Sequence, residues 1–291
     1  MKIQRLLFVL FVLFVLQGFI VNSFAADNSA EAKEFRIAAS VDDVSTLERL
    51  LDAKQVDVDA ANNFGKTALM MAVENGQFAA VVRLLNSGAN VNKRTVAGST
   101  ALTFAAENNE YEMTAMLLEN NADINNRTRS GWNAMIAAAI NNFKEITEQL
   151  LFKGANPNSI DLEGNTALML ASSRGHIDIL KLLLDNKADI EFTNLNGDSA
   201  LIIAASKGQA ASVSYLLMRG ANVNAANNNG ENGLILSVSN GHVDVVKVLL
   251  SSPAIDVNHQ DLDGITALNE ALSMGSSTGS MVKLLKAAGA K

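Results

Sequence analysis

A glycine recurs along this chain at a nearly constant interval. Successive intervals are 33 residues, with one of 34, and the glycines are Gly65, Gly98, Gly131, Gly164, Gly197, Gly230 and Gly264. Pairs of adjacent leucines keep nearly the same period, from Leu50-Leu51 to Leu284-Leu285. A repeat of this length predicts one small supersecondary unit stacked many times, instead of a single globular core.

Each unit is predicted to hold two antiparallel helices. A Thr or Ser precedes an apolar run, as in Thr67-Ala68-Leu69-Met70, where its hydroxyl suits a helix start. About ten residues further, a Gly or Asn is typical of a left-handed turn. That position reads Gly76, Asn109, Asn142, Gly175, Gly208, Gly241 and Gly275. The second helix carries the leucine pair, and a polar stretch such as Ala89-Asn90-Val91-Asn92 leads to the next glycine.

This order of helix, turn, helix and projecting loop resembles the ankyrin repeat. The resemblance runs from about residue 30 to the end of the chain. It implies an all-α ankyrin repeat solenoid of stacked helix-turn-helix units with projecting β-hairpin loops. About eight units, terminal caps included, would fill residues 27–291. The family's Thr-Pro-Leu-His tetrapeptide keeps only Thr and Leu here, so apolar contact is expected to replace its buried Thr–His hydrogen bonds.

The terminal units are expected to differ from the others, because each lacks one neighbour. In the last unit, positions that are apolar elsewhere become Asn269 and Glu270, which we expect to face solvent. In the first unit, Glu31, Glu34 and Arg36 are expected on the outer face.

Residues 1–26 read as a secretory signal peptide. Lys2 and Arg5 precede an apolar run from Leu6 to Leu16, and small residues follow at Ser23-Phe24-Ala25-Ala26. Cleavage is expected after Ala25 or Ala26. The alternative is an uncleaved anchor or a buried helix, but the apolar run is short for a membrane span of roughly 20 residues.

Charge and composition exclude several classes of partner. Without Lys2 and Arg5, the 23 basic residues fall to 21 against 30 acidic ones, a net charge of −9. Such an acidic chain is poorly suited to nucleic acid or to anionic lipid. The absence of cysteine excludes a lipoprotein anchor and any Cys-based nucleophile or metal site.

The sequence offers no catalytic constellation, so we predict no enzymatic activity and no cofactor or metal. His176 and His242 occupy the same unit position and are interpreted as structural residues at a helix start. His259 is expected to be exposed and alone in its loop. Phosphate-binding loops, a nucleophile elbow and metal-ligand spacings are all missing.

The concave face of the stack is the predicted binding surface. In ankyrin proteins, partners usually contact the residues that flank the glycine and those that end the first helix. Most of these are small or polar here, but some are large and form the predicted partner-binding set: Phe64, Arg129, Trp132, Ile140, Leu162, Arg174 and Leu195. Trp and Arg are enriched among residues that dominate interface energy. The alternative for Trp132, the only tryptophan, is that it folds back onto the next loop.

Two functions are open at this level. The first is a monomeric, periplasmic protein-binding module, without a membrane anchor after cleavage, that inhibits or protects an envelope enzyme such as a hydrolase. The second is a secreted effector that binds a protein of a host or neighbouring cell. The identity of the partner is not encoded in any recognisable motif.

Overall fold

The computed structural model describes residues 27–291, which fold into two compact blocks. The N-terminal block runs to Asp123 and the C-terminal block spans Ile124–Lys291. The described residues contain sixteen α-helices and no β-strand, so the predicted all-α class is confirmed. The predicted signal peptide lies outside the described residues. No described helix has both the length and the apolar character needed to cross a membrane.

The helices come in successive antiparallel pairs. Those of the N-terminal block are α1 (Ala30–Ser40), α2 (Val44–Asp52), α3 (Ala68–Glu74), α4 (Phe78–Asn86), α5 (Ala101–Glu107) and α6 (Tyr111–Glu119). Those of the C-terminal block are α7 (Ala134–Ile140), α8 (Lys144–Phe152), α9 (Ala167–Arg174), α10 (Ile177–Asp185), α11 (Ala200–Ser206), α12 (Ala210–Met218), α13 (Gly233–Ser239), α14 (Val243–Leu250), α15 (Ala267–Ser273) and α16 (Gly279–Ala287). A 3-10 turn, Gly275–Thr278, joins the last two.

The first helix of each repeat begins at the predicted Thr or Ser, or at an Asn. The side-chain oxygen of Thr67, for example, accepts a hydrogen bond from the backbone N–H three residues on, which is the usual N-cap contact. In three repeats, the residue at the position of the family's histidine accepts a hydrogen bond from the backbone of the N-cap residue. Thr103, Met169 and Asn269 each accept from the backbone N–H of the N-cap threonine. Hydrogen bonds to the cap are therefore present beside the expected apolar contact in these repeats.

The turns inside the repeats confirm the prediction of left-handed backbone. Asn109 and Asn142 have φ of 61°, close to the values of the glycines at the same repeat position. Asp42, Lys54 and Lys187 also have positive φ, which the pattern of Gly and Asn does not predict. A residue with positive φ thus lies between the two helices of every repeat.

Each block buries a continuous apolar core between its helices. First helices pack on first helices, as α7 packs on α9, and second helices pack on second helices, as α8 packs on α10. The first leucine of each pair from Leu50 to Leu249 is fully buried. In the final repeat the second member, Leu285, is the fully buried one. Nearest-neighbour contact of this kind is what a repeat stack depends on.

The ends of the stack agree with the sequence in part. Asn269 is exposed and Glu270 half-buried, in accord with a last repeat that has nothing packed beyond it. The prediction for Arg36 was wrong, because this residue is 3% exposed and its Nη1 donates to the Ala60 carbonyl at 3.3 Å. Burial also lowers the pKa of the Arg36 guanidinium, although that group stays charged at any ordinary pH.

Candidate protein-binding surface

The loop that carries each glycine ends in a tight turn held by one polar side chain. In the Gly164 loop, Asp161 Oδ1 accepts from the backbone N–H of Glu163 at 2.9 Å and of Asn165 at 2.8 Å. Asn194 makes the same two bonds in the next loop, both at 3.0 Å. Such Asx turns fix the loop without strands. The predicted β-hairpins are accordingly reduced to isolated antiparallel bridges, such as the one between Ile160 and Thr166.

Backbone hydrogen bonds join successive loops of the C-terminal block. Leu162 N donates to Ser130 O at 3.1 Å, and Leu195 N donates to Glu163 O at 3.0 Å. The series continues with Asn228 N to Asn196 O and Leu262 N to Asn229 O. The loop tips are therefore fixed relative to one another before any partner arrives, which limits the entropy that binding has to remove.

Close loop contact explains the recurring glycine. Gly131 has φ of 84°, and a Cβ at this position would lie 2.7 Å from Leu162 N. Any other residue would be strained by its own backbone and would also collide with the next loop. The glycine that recurs about every 33 residues therefore lies where a loop contacts the next loop.

The loop-tip surface of the C-terminal block consists of the side chains two positions before each glycine: Arg129, Leu162, Leu195, Asn228 and Leu262. Arg129 is exposed, and Leu162 and Leu195 are 66% and 72% exposed. The structure therefore brings these three predicted residues into one row on consecutive loops. Leu262, 78% exposed at the same position, extends the row and was missed by sequence reasoning. Its repeat position alone would have identified it.

The other predicted residues do not all join this row. Arg174 is exposed at the end of α9, and Trp132 is half-buried. Ile140 is only 8% exposed, so the prediction that it lies open to a partner was wrong. It ends α7, in which every residue is buried. Phe64 is 74% exposed at a loop tip of the N-terminal block.

An open groove lies between the loops and the first helices of the C-terminal block. It encloses about 480 Å³, and half-buried Ile203 and Leu236 contribute apolar surface to it. The loop side supplies polar groups, among them Asn196, Asp198 and Glu231. This groove lies further along the chain than the central group of anchors that the sequence predicts. Half-buried helix positions are hard to recognise from sequence because buried ones look equally apolar.

One amide holds two carboxylates of this groove close together. Asn227 Nδ2 donates to Asp198 Oδ1 at 3.0 Å and to Glu231 Oε2 at 3.1 Å. The two oxygens are thus no more than about 6 Å apart, a limit set by these two bonds. No basic side chain among residues 27–291 forms an ion pair with either carboxylate. The groove therefore contains preorganised negative charge.

Comparison with protein families gives the same assignment as this geometry. A family model described as ankyrin repeats matches in three copies, over residues 35–128, 134–227 and 201–291. The chain belongs to the ankyrin-repeat family. No curated protein sequence matches it. Ankyrin repeats are, in general, non-catalytic modules for protein–protein interaction.

The histidines of this ankyrin protein serve the packing of its repeats. His176 and His242 begin second helices, as predicted, and their Nε2 atoms lie 3.1 Å from Ile140 O and 3.0 Å from Ser206 O. The carbonyls can only accept, so Nε2 carries the proton in both bonds. His259 was expected to be alone in its loop, and this prediction was wrong. Its Nε2 lies 2.7 Å from Gly230 O in the neighbouring loop.

The described part of this ankyrin protein contains no group of three or more His, Cys, Asp or Glu side chains able to hold a metal ion. A carboxylate with a raised pKa lies in the N-terminal block, in the middle of a small group of charged side chains. Burial, and then the nearby negative charge of Glu74, raise the pKa of Glu107, while Lys66 acts in the opposite direction. Lys66 is ion-paired with Glu74 and sits 4.5 Å from the centre of the Phe104 ring. Glu107, Glu74 and Lys66 thus form a small group of interacting charges.

Proposed function

We propose that this ankyrin protein is an exported, non-enzymatic binding module of the cell envelope. It binds one protein partner through the loop-tip surface of its C-terminal block, and it inhibits or protects an envelope enzyme. The observation that carries the proposal is the row of exposed leucines at Leu162, Leu195 and Leu262, set on loops that are already fixed by backbone hydrogen bonds. Adjacent exposed apolar side chains on rigid backbone are typical of interaction sites.

Export is the part of the proposal supported by the N-terminal sequence. A basic start, an apolar run and a small-residue cleavage site favour delivery to the periplasm, and secretion beyond it is the alternative location. Fractionation of the producing cells, with the chain detected in periplasm, membrane and medium, separates the two locations.

Site-specific photocrosslinking tests the binding surface. A benzophenone amino acid is placed at Leu195 in one variant and at Phe152 in the other. Both side chains are exposed and apolar, but Phe152 ends the second helix α8 and so lies away from the loop tips. We expect a discrete crosslinked partner from position 195 and none from position 152. Equal crosslinking at both positions, or crosslinking only at position 152, would contradict the proposed surface. Crosslinking only at 152 would place the interface on the second helices.

A further inference from the structure

The groove of the C-terminal block holds two carboxylates close together, an arrangement that favours a cationic side chain. Asp198 and Glu231 belong to adjacent repeats and are both half-buried. Asn227 holds them in place through the two hydrogen bonds described above. Asn229 Nδ2 adds a third bond, to Glu231 Oε2 at 3.3 Å. Two carboxylates kept together without a cation create a local negative potential that a cationic side chain would relieve.

Apolar surface lies directly beside these carboxylates. Ile203 and Leu236 line the same groove. Leu195 is exposed and adjoins the groove, because its carbonyl accepts from Nδ2 of the lining residue Asn228 at 3.0 Å. A long basic side chain has an aliphatic stem that packs on such a surface while its charged end reaches polar groups. The groove therefore matches both parts of an arginine or a lysine.

We infer that this groove binds an arginine side chain presented by an extended, basic segment of the partner protein, with an apolar neighbour of that arginine covering Leu195. The guanidinium binds Asp198 and Glu231 from the open side of the groove, beside the Asn227 amide that holds them, and its stem packs on Ile203 and Leu236. Arginine suits the site better than lysine, because its planar fork of donors can bond two separate carboxylates at once. The inference rests on the proposed binding function and specifies the chemistry of the partner.

The charge of the surroundings supports a basic occupant. The chain carries 30 acidic residues against 21 basic ones once Lys2 and Arg5 are left out, so it attracts cationic partners at long range. Lys207 is the one basic side chain that lines the groove, and it is exposed. A negatively charged segment would face Asp198 and Glu231 without compensation.

Selection from a phage library of random dodecapeptides tests the inference and needs no identified partner. The purified chain is compared with its Asp198→Asn/Glu231→Gln variant, in which each amide keeps an oxygen to accept from Asn227. The matched control is Glu148→Gln/Asp178→Asn, which removes the same charge from exposed positions of α8 and α10. Circular dichroism melting verifies that both variants are folded.

We expect the unmodified chain and the control to enrich peptides with an arginine next to an apolar residue, and the groove variant to lose this preference. For an enriched synthetic peptide, replacing the arginine by citrulline should weaken binding at least tenfold, and only for proteins with an intact groove. Enrichment of peptides without basic residues, or equal enrichment on the groove variant, would overturn the inference. So would an absence of enrichment on the unmodified chain. In each of these cases crosslinking at position 195 still reports on the proposed function.

Discussion

The backbone N–H of Leu195 donates to the carbonyl of Glu163 over 3.0 Å, and this bond joins two loop tips from neighbouring repeats. Equivalent bonds on either side make a ladder, and the glycine of each loop lies where the next loop approaches. An exposed leucine is therefore presented by backbone that is held on both sides. The rigidity of the loop-tip surface follows from the repeat itself.

Glycine substitutions should separate loop contact from backbone strain. Gly131 and Gly154 both have positive φ, of 84° and 90°, but an added Cβ meets the next loop only at Gly131. We expect Gly154→Ala to cost about 1–2 kcal/mol, the penalty of left-handed backbone. Gly131→Ala should cost roughly 1–3 kcal/mol more, because the neighbouring loop must move. Urea unfolding measures both, and equal costs would show that the loops are not in firm contact.

Damage to the core should be local before it is global. Leu150 is fully buried in α8, and Leu150→Ala should cost roughly 2–5 kcal/mol. Hydrogen exchange should then speed up first in α7 to α10, while α13 to α16 keep their protection longer. Leu151→Ala, at a position 9% exposed, should act in the same way. Uniform loss of protection along the whole C-terminal block would contradict nearest-neighbour stabilisation.

Glu107 should make the N-terminal block less stable at neutral pH. Burial raises the pKa of this carboxyl in the folded state above its ordinary value of 4.5, so the folded chain holds the proton more tightly. Stability from this group is therefore present below pH 4.5 and is lost as pH rises through the raised pKa. Glu107→Gln should raise the melting temperature at pH 7.5 and leave it unchanged at pH 3.5. A pH-independent difference would assign the effect to packing.

The N-terminal sequence makes a prediction that mass spectrometry checks directly. Intact-mass analysis of the exported protein should show a chain that begins at Ala26 or Asp27, because a signal peptidase cuts after small residues. Recovery of the chain with Met1 in a membrane fraction would instead indicate an uncleaved anchor.

The repeat could be predicted from sequence because its signals are local and recur. The glycine, the helix-start hydroxyl and the αL asparagine at Asn142 each depend on the conformation of their own residue. Asp42 and Lys187 also adopt αL backbone, but neither is the Gly or Asn that marks this conformation in the other repeats.

Exposure within the repeat could not be predicted in the same way. Ile140 and Leu195 looked equivalent as candidate anchors. One is nevertheless buried at a helix end, and the other is exposed at a loop tip. Whether an apolar side chain is buried depends on the neighbouring repeat that packs against it. The residue type at one position does not encode that information. The contact between the Asn228 side chain and the Leu195 carbonyl is likewise a contact between two repeats, which a pattern within one repeat does not encode.

Titration of the crosslinked partner against matched variants tests the central claim most directly. Leu162→Ala/Leu195→Ala removes two exposed side chains from the loop-tip surface, and Phe152→Ala removes one from α8. Melting should be barely changed in both, because none of these side chains belongs to the core. We predict that the leucine variant loses at least about 2 kcal/mol of binding, as truncated interface anchors do, and that the Phe152 variant binds normally. Unchanged affinity of the leucine variant, with a loss for Phe152→Ala, would contradict the account and place the interface on the second helices.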